Sequence, residues 1–164
     1  MRILLLSFLL VAGALGQTAP LTSEEIVKVR HLLDRAYPPP LVGQTLSPKL
    51  RATAPRGTVL VLMSSTCPHC AKEVPYFAQL DAATPTLDII PAFWDSDVQA
   101  GAEFLSKLGW AKAPIAIHAG DLGKLRIAGT PTTLVADASG KITQAYVGEL
   151  TEAQKGELAA AVKR

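Results

Sequence analysis

The sequence predicts an α/β domain, an open mixed sheet flanked by helices, and three observations predict it. Thr58 to Met63 and Leu87 to Phe93 are short apolar runs rich in branched residues, as in strands covered on both faces. Between them, Ala71 to Ala82 places Val74, Phe77, Ala78 and Leu80 as a helical crossover, which makes the two strands parallel. Farther on, Thr132 to Ala136 and Lys141 to Val147 bracket the turn Asp137-Ala138-Ser139-Gly140 and predict an antiparallel hairpin.

Taken in order, the chain opens on an address. Arg2 gives a basic start, Ile3 to Ala12 is apolar but for Ser7, and the small residues Gly13, Ala14 and Gly16 follow, the order of a secretory signal. Ala14 and Gly16 suit the peptidase at its −3 and −1 positions, so cleavage is expected after Gly16. Ile3 to Leu15 is 13 residues, and a bilayer span needs about 20. No Cys follows the run to accept a lipid. The mature protein is therefore expected to be exported and soluble, periplasmic in a bacterium and otherwise secreted, with no stable membrane insertion. Residues 17–56 read as an N-terminal arm. Thr22-Ser23-Glu24-Glu25 has the capping-box form, and Ile26, Val29, Leu32 and Leu33 share one face of a helix over about 23–36. Pro38-Pro39-Pro40 stops it, and a loop follows with room for one short strand.

The main domain spans residues 57–164. Pro75 falls inside the first helix as a kink. Val98 to Leu108 reads as a second helix with Ala102, Leu105 and Leu108 on one face. Thr151-Glu152 opens a closing helix whose Ala153, Leu158, Ala161 and Val162 are expected to point inward. The predicted order is β-α-β-α-β-β-α.

Composition narrows the function without naming it. Sixteen Lys and Arg against fourteen Asp and Glu give +2 with no run of like charges, so no nucleic-acid surface is expected. Two Cys cannot build a multi-bridge secreted scaffold or a four-Cys zinc site. Their spacing says more. Cys67-Pro68-His69-Cys70 lies where a buried strand gives way to a helix, and there the free N–H groups and the helix dipole stabilise an anion. The thiolate is the attacking form of cysteine, so Cys67 is the candidate nucleophile. Cys70, one helical turn on, can close a small disulfide ring with it. Pro68 suits the first helical turn, where its missing N–H costs nothing. A protonated or donating His69 adds stabilisation to the thiolate, which favours the reduced pair and makes it an oxidant.

Other readings of the pair are weaker. A structural staple closing so short a loop restrains little of the unfolded chain. A metal site needs further ligands, whereas His31 and His118 stand isolated, and no metal is expected. Haem attachment requires His directly after the second Cys, where Ala71 stands. The second element is Gly129-Thr130-Pro131-Thr132. Pro131 cannot donate within a central strand and belongs at its start, and X-Pro is the bond that turns cis at small cost. An ordinary trans proline in a turn is the alternative. Trp94 and Trp110 read as packing residues, His118 as a strand-end histidine, and Asp95 and Asp97 as caps of the following helix.

Together these residues resemble the thioredoxin superfamily, over about Val59 to Val162. Besides the Cys67/Cys70 motif, Pro75 matches its helix-kinking proline, Gly129 to Thr132 its cis-proline loop, and Val147-Gly148 the glycine after its last strand. Cys70-Ala71-Lys72-Glu73-Val74-Pro75 and the stretch Gly129 to Ile142 resemble the exported TlpA/ResA-like branch, while the Pro68-His69 dipeptide is similar to DsbA-like oxidants. The resemblance implies a three-layer sandwich, a central mixed sheet flanked by helices, to which the N-terminal helical arm read above is added. It implies a thiol–disulfide oxidoreductase that needs no cofactor and acts as a monomer. Cys67 would exchange with protein cysteines or disulfides and with a redox-partner protein, and Cys70 would resolve the mixed disulfide. Pro68, His69 and Glu73 would tune the pair, Glu73 as a proton acceptor for Cys70. Thr130, Pro131 and Gly148 would bind an extended substrate segment by β-augmentation. Two departures stand out: Thr66 replaces the usual Trp, and the strand before the motif carries no acid. The motif resembles oxidants and its surroundings reductases, so the direction of electron flow stays open. A redox-inert binding or chaperone module of this fold and a peroxidase of the superfamily are the alternatives. The latter lacks its Pro-x-x-x-Thr-x-x-Cys pattern before Cys67.

Overall fold

A computed structural model describes Thr22, residues 41–122 and residues 125–162, apart from the side chain of Asp95. The signal segment and the helix expected over 23–36 lie outside the described residues. The elements run α1 (Pro48–Ala52), β1 (Thr58–Met63), α2 (Pro68–Ala83), β2 (Asp88–Trp94), a 3-10 turn (Asp95–Asp97) and α3 (Val98–Lys107). They continue through β3 (Ile115–Ile117), β4 (Thr132–Ala136), β5 (Ile142–Val147) and α4 (Glu152–Ala161).

One five-stranded sheet holds them, in the order β3-β2-β1-β4-β5. β1, β2 and β3 are parallel, while β4 runs antiparallel to β1 and to β5. This mixed sheet with its helices is the architecture expected, enlarged by two elements. β3 is a three-residue strand, too short for periodicity to separate it from a loop. Pro91 in β2 has no N–H to give, and β3 begins to pair only one residue later, at Ala92. The other addition is α1, inside the segment read as loop. Ser47 caps it by accepting from Leu50 N, and Pro48 occupies its first turn.

Both faces of β1 are buried, as its unbroken apolar run requires. Val59, Val61 and Met63 share a core with Cys70, Val74, Phe77 and Leu80 of α2, Leu105 of α3 and Leu158 of α4. The alternate residues Leu60 and Leu62 pack with Leu46, Leu50 and Ala54 and with Ile117, Leu122 and Leu125. The described part of the arm is thus part of the core, joined to the hairpin by Gly43 N to Ile142 O (2.8 Å) and Ile142 N to Gln44 O (2.8 Å). In α4 the expected inward face is met by Leu158 and Val162, but Ala153 is exposed. Five residues from Leu158 is about 140° around an α-helix. The capping box of Thr151 and Gln154 leaves that first turn to solvent.

Helix α3 meets the sheet at Gly101, where an added Cβ would lie 2.6 Å from the ring of Phe93, itself fully buried. Gly→Ala in a helix ordinarily gains about 1 kcal/mol, whereas overpacking a core costs roughly 1–3 kcal/mol. We expect Gly101→Ala to lower the urea midpoint. A midpoint equal to or above that of the parent would mean the ring yields freely.

Candidate active site

β1 delivers the Cys-Pro-His-Cys motif to one end of the sheet. After Met63 the chain turns, Cys67 N donating to Ser64 O at 3.1 Å, and Cys67 becomes the N-cap of α2. Its sulfur accepts from Cys70 N at 3.2 Å, the place a Ser or Asp oxygen takes in an ordinary cap. Pro68 stands in the first turn as expected. The turn is also held from outside. Asp97 accepts from Ser65 N at 2.9 Å and from Ser65 Oγ at 2.5 Å. Asp97 makes no side-chain cap bond to α3, so the capping role read from the sequence gives way to one in the active-site loop. Ser65 lies 32 positions away, beyond the reach of any local pattern.

Because β4 runs antiparallel to β1 and pairs Thr132 with Leu62, the start of β4 lies beside the end of β1. That brings Thr130-Pro131 to Cys67. The Thr130–Pro131 peptide is cis, and the Cys67 thiol donates to Thr130 O at 3.5 Å. Gly148, with φ +90°, donates its N–H to Pro131 O at 2.8 Å. Trp94 and Val147 end β2 and β5 at this same edge of the sheet, 37% and 56% exposed. Trp110, by contrast, is buried against Phe77 with its N–H on Asp81, the packing role expected of it.

The two thiols are unlike. Cys67 is partly exposed and Cys70 is buried, and both are free. Burial alone would raise the Cys67 thiol. Hydrogen bonds from the Cys70 thiol and N–H, from the Thr130 side chain and from the His69 backbone outweigh it, and the group titrates below an ordinary cysteine. Cys70 is pushed up to about 12 by burial, by its bond to Cys67 and by the charge that Cys67 carries. One sulfur is prepared to ionise and the other to stay protonated beside it.

Residues 148–150 clasp the other expected site residues. Glu73 is 1% exposed on α2 and accepts the Leu150 N–H through Oε1. Among the described residues nothing hydrogen-bonds its Oε2. Burial raises its carboxyl above the usual range, against the Leu150 N–H and the Lys155 charge, with Glu149 adding to the rise. His69 turns outward. Its Nδ1 lies 2.8 Å from Glu149 Oε2, and Lys72 Nζ donates to the same oxygen at 3.1 Å. Of His69, the backbone is what reaches the Cys67 sulfur. Among the described residues no three His, Cys, Asp or Glu side chains gather as a metal ligand set. Nor is any described helix long and apolar enough to cross a membrane.

No protein-family model matches the chain, and no curated protein matches it by sequence. Solved structures do. A secreted Mycobacterium tuberculosis disulfide oxidoreductase homologous to E. coli DsbE aligns with a TM-score of 0.57 over 75% of this chain and 96% of its own, at 19% identity. The fold is thioredoxin-like. A thiol:disulfide interchange protein of the thioredoxin family from Chlorobium tepidum aligns at 0.54 and 19% identity, over 66% of this chain and 80% of its own. StoA from Bacillus subtilis aligns at 0.54 and 22% identity, over 66% and 83%. At these identities the likeness is one of fold. In the thioredoxin-like frame, the cysteines stand at the β1–α2 junction and the cis-proline at the head of β4.

Proposed function

We propose that the protein is an exported thiol–disulfide oxidoreductase that exchanges disulfides with cysteines of other proteins through Cys67 and Cys70. The observation that carries the reading is the asymmetry of the two sulfurs: an accessible, acid-shifted Cys67 at a helix N-cap and a buried Cys70 held near 12. The thioredoxin-like fold and the named activities of its structural neighbours support it. In the reducing direction the Cys67 thiolate attacks one sulfur of a substrate disulfide. A mixed disulfide forms and the other substrate sulfur leaves as a thiolate. Cys70 then gives up its proton, attacks Cys67 and releases the second substrate sulfur. Two electrons pass from the pair to the substrate, two protons accompany them, and the Cys67–Cys70 disulfide remains. Oxidation is the same sequence reversed. Glu73, three residues from Cys70, serves as the proton acceptor. Thr130 and Pro131, steadied by Gly148, present backbone to an extended substrate segment. The protein works as a monomer with no cofactor, in the periplasm of a bacterium or otherwise outside the cell, and a second redox protein resets it.

Alkylation and a glutathione titration test the reading together. Cys67 of the reduced protein should react with iodoacetamide well ahead of a free thiol at equal pH, and Cys70 not at all until the protein unfolds. The pair should show one two-electron transition within roughly −120 to −270 mV. A Cys67 no faster than a free thiol, in a pair that does not exchange with glutathione, would leave a redox-inert binding module. Rapid consumption of peroxide without disulfide exchange would make it a peroxidase.

A further inference from the structure

The His69 imidazole stands between two cysteines, where it could face the Cys67 sulfur, yet it is spent on a carboxylate. Its side chain is 60% exposed and its Nδ1 lies 2.8 Å from Glu149 Oε2. The carboxylate is not a chance surface neighbour, because the chain is fastened on both sides of it. Gly148 N donates to Pro131 O, and Leu150 N to buried Glu73. Lys72 Nζ meets the same oxygen at 3.1 Å, so Glu149 has a second anchor on α2 beside His69. His69 and Lys72 hold the Glu149 carboxyl below its usual range, so it stays charged throughout the range in which a histidine titrates.

Two consequences follow for Cys67. A fixed negative charge over the first turn of α2 opposes the thiolate that the same turn stabilises. The His69 ring, held on that carboxylate, is also turned outward, so it serves Glu149 and not the sulfur. Both effects favour the protonated thiol, hence the oxidised pair at equilibrium, and lower the oxidising strength that His69 confers.

We propose that Glu149 is a positioning residue that sets the redox poise of the Cys67–Cys70 pair, holding the His69 imidazole off the Cys67 sulfur and placing a carboxylate at the first turn of α2. The inference rests on the oxidoreductase reading and deepens it: a dipeptide suited to an oxidant is restrained by a carboxylate 80 positions away. The test is the glutathione equilibrium of Glu149→Gln, with the ultraviolet absorbance of the thiolate titrated across about pH 4 to 9. Glu149→Gln should lower the Cys67 thiol pKa and move the equilibrium toward the dithiol by roughly three- to tenfold, tenfold being ~30 mV for a two-electron couple. In a His69→Ala background, where only the direct charge effect remains, the same substitution should move it distinctly less. An unmoved equilibrium, a move toward the disulfide, or an equal move with and without His69 overturns the proposal. If the parent protein itself does not exchange with glutathione, the oxidoreductase reading fails. If the parent exchanges and Glu149→Gln behaves like it, only the role of Glu149 fails.

Discussion

Cys70→Ser is expected to arrest exchange at the mixed disulfide, with at most one substrate molecule bound covalently per protein, while Cys67→Ser binds none and exchanges at the background rate. The difference comes from placement. The Cys67 sulfur caps α2, accepts the Cys70 N–H at 3.2 Å and is partly exposed, whereas Cys70 is wholly buried with a pKa raised to about 12. Serine at position 70 keeps the backbone N–H that stabilises Cys67 but cannot displace the bound substrate. The Cys67 thiolate therefore still attacks, and its adduct persists. Serine at position 67 leaves only a sulfur that substrates cannot reach. Non-reducing electrophoresis after incubation with a disulfide-bearing protein, then mass spectrometry of the adduct, reads both outcomes. Adducts on Cys70 in the Cys67→Ser variant would reverse the assigned roles.

Glu73 carries the second large effect, on stability as well as on exchange. Its carboxyl is buried with one oxygen on Leu150 N–H and the other without a partner, and burial raises its pKa. An acid whose folded pKa exceeds its unfolded value binds its proton more tightly in the native state. Its favourable contribution is therefore complete below the unfolded pKa, about 4.3, and is lost as pH rises through the folded value. Glutamine keeps a carbonyl for Leu150 and never ionises. The stability of Glu73→Gln relative to the parent should rise between about pH 4 and 8, by about 1.4 kcal/mol for each unit by which the native carboxyl is raised. Any cost of the buried amide N–H groups is constant with pH and leaves that slope intact. Glu73→Ala strands the Leu150 N–H and should lose roughly 1–3 kcal/mol at about pH 4, a loss that shrinks with rising pH on the same slope, because alanine too removes the titrating carboxyl. Urea denaturation at the two ends of the range measures both. A stability difference for Glu73→Gln that does not change with pH would mean the native carboxyl titrates normally. Slower release of the mixed disulfide by Glu73→Gln would mark the carboxylate as the acceptor of the Cys70 proton.

What could be read from sequence and what could not divides by distance along the chain. β1, β2 and the β4–β5 hairpin were legible because strands buried on both faces must be apolar throughout and tight turns demand Asp, Ser and Gly. Thr151-Glu152 marks the start of the last helix in the sequence, and the structure adds a capping box in which Gln154 returns to Thr151. α1 escaped because five residues carry no usable period, and β3, three residues long, was marked only by His118 read at a strand end. Among site residues, the cysteines, Pro68 and Pro131 came from motif chemistry and Thr130 and Gly148 from the family resemblance, and the fold brings them together. Asp97 and Glu149 were invisible as site residues: their partners Ser65 and His69 are 32 and 80 positions away.

By itself, the sequence determined which atoms could do chemistry and which segments had to be buried, since residue identity and short-range hydrophobic spacing are local properties of the chain. Tertiary structure alone decided that β4 runs back along β1 to set Thr130 against Cys67, and that the His69 ring bonds to Glu149. Those outcomes depend on strand direction and on hydrogen bonds between residues far apart in sequence, and such partners meet only once a sheet has closed around its core.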